Sequence, residues 1–254
     1  MTGSDREGTA DDGADAPEPV LVLHDVEKSY GDVTALDGVD LSVAPGTIHA
    51  VVGPNGSGKT TLFRVALGLT RPSNGTVDAP PAGIGPGFQR PNVYRDLTVA
   101  ENLDVFAALT GADDDAWREE IVATLRLDRV RDRRAGDLSG GFRKKLDLAL
   151  ALLDRSPVVC LDEPTGDLDD VSRAKLLDLL ADFRDAGHAV VVSTHHLGAF
   201  ADVIDHLTLL HDGEVVLDER RRDLDLGDHD SLRDLYVARA LAAERDGGGE
   251  FEHP

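Results

Sequence analysis

The stretch GPNGSGKTT, Gly53 to Thr61, constrains the fold of this 254-residue chain more than any other. It satisfies G-x-x-x-x-G-K-[ST], with the apolar run TIHAVV before it and the apolar-periodic KTTLFRVALGL after it. That context predicts a buried strand, a tight loop and a helix closed by Gly68 and Pro72. The loop residues Gly53, Pro54, Asn55, Gly56, Ser57 and Gly58 form a phosphate cradle, because glycines let backbone N–H groups wrap an anion. Lys59 reaches the β and γ phosphates, and the Thr60 hydroxyl takes a place on Mg²⁺, with Thr61 beside it. A glycine-rich turn that matches by chance is the alternative at this point.

A second stretch is also built for an anion. LSGGFRKKL, Leu138 to Leu146, places Ser139, Gly140 and Gly141 at the start of an apolar-periodic run of Phe142, Leu146, Ala149, Leu150 and Leu153. A helix start there presents unpaired N–H groups. One chain thus carries two sites suited to one phosphate.

Other chemistry sits at strand ends. PVVCLDEP puts Asp162 and Glu163 at the carboxyl edge of a buried strand, where ligands of open α/β sheets gather. Asp162 is the candidate for holding Mg²⁺, and Glu163 for orienting and polarising an attacking water. Simply solvated acids are the alternative. His195 ends the run VVVSTHH and is placed to donate to a γ-phosphate oxygen, against the plainer reading of a structural histidine. His196 is expected to point elsewhere, as a surface or cap residue. Gln89, between GIGPGF and a helical stretch, is a candidate hinge whose amide senses Mg²⁺ and water.

Around these motifs the chain reads as strands over VLVLHDVEKSY and VDLSVAPGTIHAVVG, with a turn at Pro45-Gly46. A helical stretch follows at about 96–155. A strand–helix–strand unit then spans PVVCLDEP, DVSRAKLLDLLADFRDAG and HAVVVSTHH, the pattern of a parallel sheet buried on both faces. A hairpin turns at Asp212-Gly213, and a last helix covers about Ser231 to Arg245. Residues 1–19 are acidic and poor in large apolar side chains, so they are expected to be disordered. Cys160 excludes a disulfide framework; it reads as a small core residue, with a redox thiol as the alternative.

A hydrophobic content of 41% is enough for a core, and no stretch approaches a spanning helix. The start of the chain lacks the layout of a secretory signal, so the cytoplasm is the expected location. The formal net charge is -22, spread along the chain, with lysine only at positions 28, 59, 144, 145 and 175. Such a surface repels itself in dilute buffer and is screened at molar salt, which predicts a salty cytoplasm. Nothing supplies a basic face for a nucleic-acid backbone.

In their order and spacing, GPNGSGKT, LSGGF, VVCLDEP, GDLD and STHH resemble the ATP-binding cassette (ABC) family over about residues 20–222. The resemblance implies an α/β P-loop NTPase with a mainly parallel core sheet, an antiparallel β part and an inserted helical subdomain (about 96–155). Residues 223–254 are left as a C-terminal helix and loose tail. It also implies why there are two anion sites: in this family two cassettes pack head to tail, and Ser139, Gly140 and Gly141 of one close over the γ-phosphate held by the other. Tyr30 resembles the aromatic that stacks on adenine, with an ordinary core or surface tyrosine as the alternative. Asp169 resembles the loop that crosses the dimer interface, and Gln89 to Leu97 the segment that meets a membrane partner.

Two residues depart from the family pattern. Phe142 stands where glutamine is common, and Asp167 where glycine or leucine-like neighbours are frequent. Neither touches Lys59, Asp162, Glu163 or His195, so hydrolysis is expected. The implied role is the ATP-hydrolysing subunit of a membrane transporter, most like drug-exporter or ABC-2-type export systems. It would use ATP and Mg²⁺, a second ABC subunit (a copy or a close paralogue) and integral membrane permease subunits, and act on the cytoplasmic face of the membrane. A soluble ABC ATPase of translation or chromosome maintenance is the alternative; LSGG disfavours a P-loop kinase.

Overall fold

The computed structural model describes residues 17–247 apart from His196, Asp228 and Asp230. The expectations for residues 1–16, His196 and the Gly-rich tail from 248 onward therefore lie outside the described residues.

Strands β3 (Ile48–Val52), β6 (Val158–Asp162) and β7 (Ala189–Thr194) are buried along their whole length, as their unbroken apolar runs require. They form the middle of a six-stranded sheet, together with β5 (Ile84–Gly87), β8 (His206–His211) and β9 (Glu214–Arg220), in the order β5-β6-β7-β3-β8-β9. Every pair is parallel except β8 with β9, the hairpin turning at Asp212-Gly213. A separate antiparallel sheet has the order β2-β1-β4, built from β1 (Leu21–Tyr30), β2 (Val33–Val43) and β4 (Asn74–Asp78).

The two-residue period of the strands divides the core. Ile48, Ala50, Val52, Val159, Leu161, Val190 and Val192 face one apolar cluster, shared with α2 (Val99–Thr110), α3 (Asp115–Thr124), α4 (Gly140–Leu152) and α5 (Asp170–Asp185). Val51, Val158, Cys160, Ala189 and Val191 face the other, shared with α1 (Lys59–Ala66) and the antiparallel sheet. Cys160 is fully buried, and burial pushes its thiol up to about 12, so it is a protonated core residue. Trp117 is likewise a packing residue: its indole N–H donates to the Leu152 carbonyl at 2.8 Å.

Helix α2 starts at a capping box, in which Thr98 and Glu101 satisfy each other's backbone N–H groups. The last helix, α6 (Leu232–Gly247), buries Leu232 and Leu235 in the larger cluster. Two strands escaped sequence reading. β4 alternates half-buried and exposed residues over the weak run NGTVD. β5 carries two glycines and a proline, which only its edge position tolerates. No helix among the described residues is long and apolar enough to cross a membrane.

Candidate nucleotide site

The carboxyl ends of β3, β6 and β7 bring the sequence motifs to one edge of the sheet. After β3 the chain enters the glycine loop, whose shape depends on missing side chains. A Cβ on Gly53 would fall 2.2 Å from the Leu210 carbonyl oxygen, and one on Gly58, at φ 103°, would fall 2.5 Å from that of Ala35. Lys59 opens α1 and folds its ammonium over the loop, donating to the carbonyls of Gly53 and Pro54 at 2.7 and 2.8 Å. Burial lowers the pKa of that ammonium, and the carboxylates of Glu163 and Asp162 oppose the shift. The loop encloses a cleft of about 250 Å³ lined by Asn55, Gly56, Gly58, Lys59, Thr60 and Thr61, with Gln89, Asp162 and Glu163 on the facing side.

Asp162 ends β6. Its Oδ2 accepts from the Thr60 hydroxyl at 3.3 Å, and its Oδ1 from the Ser193 hydroxyl. Glu163 then leaves the strand with φ 46°, held there as its N–H donates to the carbonyl and hydroxyl oxygens of Ser193 at 3.1 and 3.2 Å. The left-handed turn swings the Glu163 carboxylate toward the end of β7. There its Oε1 accepts from the His195 N–H at 3.0 Å and lies 2.6 Å from His195 Nδ1. Sequence reading named Glu163 and His195 separately; the fold makes them a pair. Ser193, which fixes both carboxylates, was missed, and its only signal is a hydroxyl one residue before the end of an apolar strand.

Gln89 lines the glycine-loop cleft and also a neighbouring cleft of about 570 Å³ shared with Phe63, Arg64, Arg90 and Asn92. The chain around it is fastened to α4. Asp147 accepts from the N–H groups of Phe88 and Asn92 at 2.9 and 2.8 Å, and Lys144 donates to the carbonyls of Phe88 and Asp162 at 2.6 and 2.9 Å. Both side chains are buried. Burial raises the Asp147 carboxyl to about 6, despite those backbone donors and Lys144, and lowers the Lys144 ammonium. Sequence reading passed over this pair too, although two charges three residues apart in an apolar helical run were its signal.

Ser139 caps α4, its hydroxyl accepting from the Phe142 N–H at 3.4 Å. Ser139 and Gly140 are exposed, and none of Ser139, Gly140 and Gly141 lines the cleft of their own glycine loop. A Cβ on Gly141 would lie 2.8 Å from the Asp167 carbonyl oxygen, so the signature and the GDLD loop touch within one chain. Asp167 sits at φ 60°, which explains why glycine suits that position; aspartate is among the few other residues that enter this region readily. Phe142 packs half-buried against the core with the Lys145 ammonium 5.0 Å from its ring centre. Asp169 caps α5, accepting from the Ser172 N–H and hydroxyl at 2.9 and 2.8 Å. Tyr30, at the end of β1, is exposed beneath Lys28 and does not line the glycine-loop cleft.

A family model described as ABC transporter matches residues 36–166. Nod factor export ATP-binding protein I of Cupriavidus metallidurans is 33% identical over 221 residues, covering 81% of this chain and 72% of its own. Daunorubicin resistance ATP-binding protein DrrA3 of Streptomyces coeruleorubidus is 34% identical over 213 residues, 78% of this chain and 67% of its own. Among solved structures, the ATP binding subunit of an ABC transporter superposes with a TM-score of 0.79 at 26% identity, covering 87% of this chain and 99% of that one. A dimeric cassette in a post-hydrolysis state bound to ADP and Pi gives 0.71 at 28% identity, covering 80% and 100%. The match spans the glycine loop, the signature and the paired carboxylates alike, and the chain belongs to the ABC transporter family as one of its ATP-hydrolysing cassettes.

Proposed function

We propose that this cassette drives an export transporter from the cytoplasmic face of the membrane, working as a head-to-tail pair against separate membrane-spanning permease subunits. The observation that carries the paired arrangement is the separation of the two anion sites. The exposed signature at the start of α4 contributes nothing to the cleft of its own glycine loop, so each cleft needs a signature from a second chain. Relatives named for Nod factor export and daunorubicin resistance support export as the direction.

The donor set at the cleft suits Mg²⁺: the Thr60 hydroxyl and the Asp162 carboxylate are hard oxygen ligands 3.3 Å apart, and Gln89 adds an amide oxygen. When bound, Mg²⁺ neutralises charge on the β and γ phosphates. Lys59 exchanges its loop carbonyls for phosphate oxygens. Glu163 accepts the proton of a water whose oxygen bonds to the γ-phosphorus as the bond to the β–γ bridging oxygen breaks. His195 holds the Glu163 carboxylate and lies within reach of the phosphate. Ser139, Gly140 and Gly141 of the second cassette direct a hydroxyl and a helix start at the same γ-phosphate. Tyr30 supplies a face for adenine, Asp169 and its loop meet the partner cassette, and Gln89 to Leu97 meets the permease.

The test is a pull-down of tagged protein from its own membranes in gentle detergent and molar salt. Recovery of a multi-span protein in near-equal amount is the expected result. Recovery of soluble or ribosomal partners alone would leave the ATPase and remove the transport reading.

A further inference from the structure

A second cluster lies at the opposite edge of the same sheet. His49 is the second residue of β3, and its register partner on the neighbouring parallel strand is His206, the first of β8. Asp218 on β9 stands opposite Thr208 of β8. The two imidazoles stack with ring centres 4.3 Å apart, and Asp218 Oδ1 lies 2.9 Å from His206 Nε2 and 3.8 Å from His49 Nε2. One nitrogen from each histidine and one carboxylate oxygen all fall within 4.8 Å of one another. The glycine loop begins four residues further along β3, roughly 13 Å away at the rise of a strand, so the nucleotide does not explain the cluster.

We propose that His49, His206 and Asp218 form a binding site for a zinc-class divalent transition ion, clamping β3, β8 and β9 together at the edge remote from ATP. Two imidazoles and one carboxylate suit such an ion, and they discriminate against the all-oxygen preference of Mg²⁺. Ligand bonds of about 2.0–2.2 Å in a tetrahedron place donor atoms about 3.4 Å apart. The 2.9 and 3.8 Å separations bracket that value, and the ion enters as the two stacked rings tilt apart to turn their nitrogens toward it.

The surroundings fit a three-ligand site. His49 is buried, and its Nε2, 2.6 Å from Thr208 Oγ1, exchanges that hydrogen bond for the ion. Asp218 faces His206 Nε2 at 2.9 Å, and the ion takes the place of the proton those two groups share. Thr208 Oγ1 donates to Asp218 Oδ1 and supplies the outer hydrogen bond that orients a ligating carboxylate. All three ligands line a cleft of about 880 Å³ that opens between the two sheets and admits water to a fourth coordination position.

The experiment uses the full chain, stripped with chelator and titrated with Co²⁺ and with Zn²⁺ in molar KCl and millimolar Mg²⁺. The salt screens the acidic surface, and Mg²⁺ occupies the nucleotide edge. One ion per chain is expected, with the visible bands of four-coordinate Co²⁺ and a Zn²⁺-dependent rise in melting temperature. His206→Ala and Asp218→Asn, both on the accessible side of the cluster, should lower affinity by at least the roughly 10–100-fold that loss of an outer-shell partner costs, and abolish the bands. ATPase turnover in these variants controls for folding. Absence of a stoichiometric ion in the unmodified chain would overturn the proposal. So would equal affinity in folded variants, which would assign the ion to the general carboxylate surface.

Discussion

At the scale of single residues, the site depends on backbone positions that few side chains occupy without strain. Glu163 is one, at φ 46°, held by Ser193 and aimed at His195. Glu163→Gln keeps the shape and removes the base, so single-turnover ATP hydrolysis should fall about 10²–10⁴-fold while ATP binding persists. The same variant should accumulate as an ATP-dependent dimer in size-exclusion light scattering; a monomer under those conditions would contradict the paired site. Asp167 is another, at φ 60°. Asp167→Val forces a β-branched residue into the left-handed region, at a cost of about 1–2 kcal/mol, whereas Asp167→Gly should be tolerated. Denaturant unfolding of the two variants compares them directly.

At the scale of elements, helix α4 links the signature to the segment around Gln89. Asp147 and Lys144 tie that segment to α4, and Lys144 ties both to the carbonyl of Asp162. Asp147 titrates near 3.8 in an unfolded chain and near 6 when folded. A carboxyl raised by folding contributes stability that is full below about pH 4 and lost as pH rises through about 6, on the order of 3 kcal/mol. Asp147→Asn does not titrate, so subtracting its stability curve from that of the unmodified chain should expose this fall between pH 4 and 7. A flat difference would contradict the shift.

Elements whose periodicity matched their burial were legible in the sequence. The strand–loop–helix at Ile48 to Ala66, the buried runs of β6 and β7 and the amphipathic α5 all follow from apolar spacing. β5 was not legible, because a Gly-Pro-Gly edge strand has no side-chain pattern and is defined only by its partner β6. The Asp147 tie was equally hidden: its partners are backbone amides 55 and 59 residues away, which no local spacing encodes. The five core motifs of the site were readable because each is local; the contacts between them, Glu163 with His195 and Gly141 with Asp167, belong to the fold.

At the scale of the whole molecule, the net charge is -22, and the ion pairs among the described residues are mostly at the surface. Ion pairs such as Arg131–Glu119 and Arg173–Asp170 are exposed and contribute little. Raising salt from about 0.1 to 1 M shortens the screening length from about 10 to 3 Å. The melting temperature should therefore climb over that range, and equal stability in dilute buffer would rule out adaptation to salt. The chain has a single tryptophan, and Trp117 packs against the Arg155 guanidinium, 4.6 Å from its ring, and Phe183, with its N–H on the last residue of α4. Its emission is thus a built-in gauge of the far end of the signature helix: a shift when nucleotide is added would time that helix's motion in the unlabelled protein.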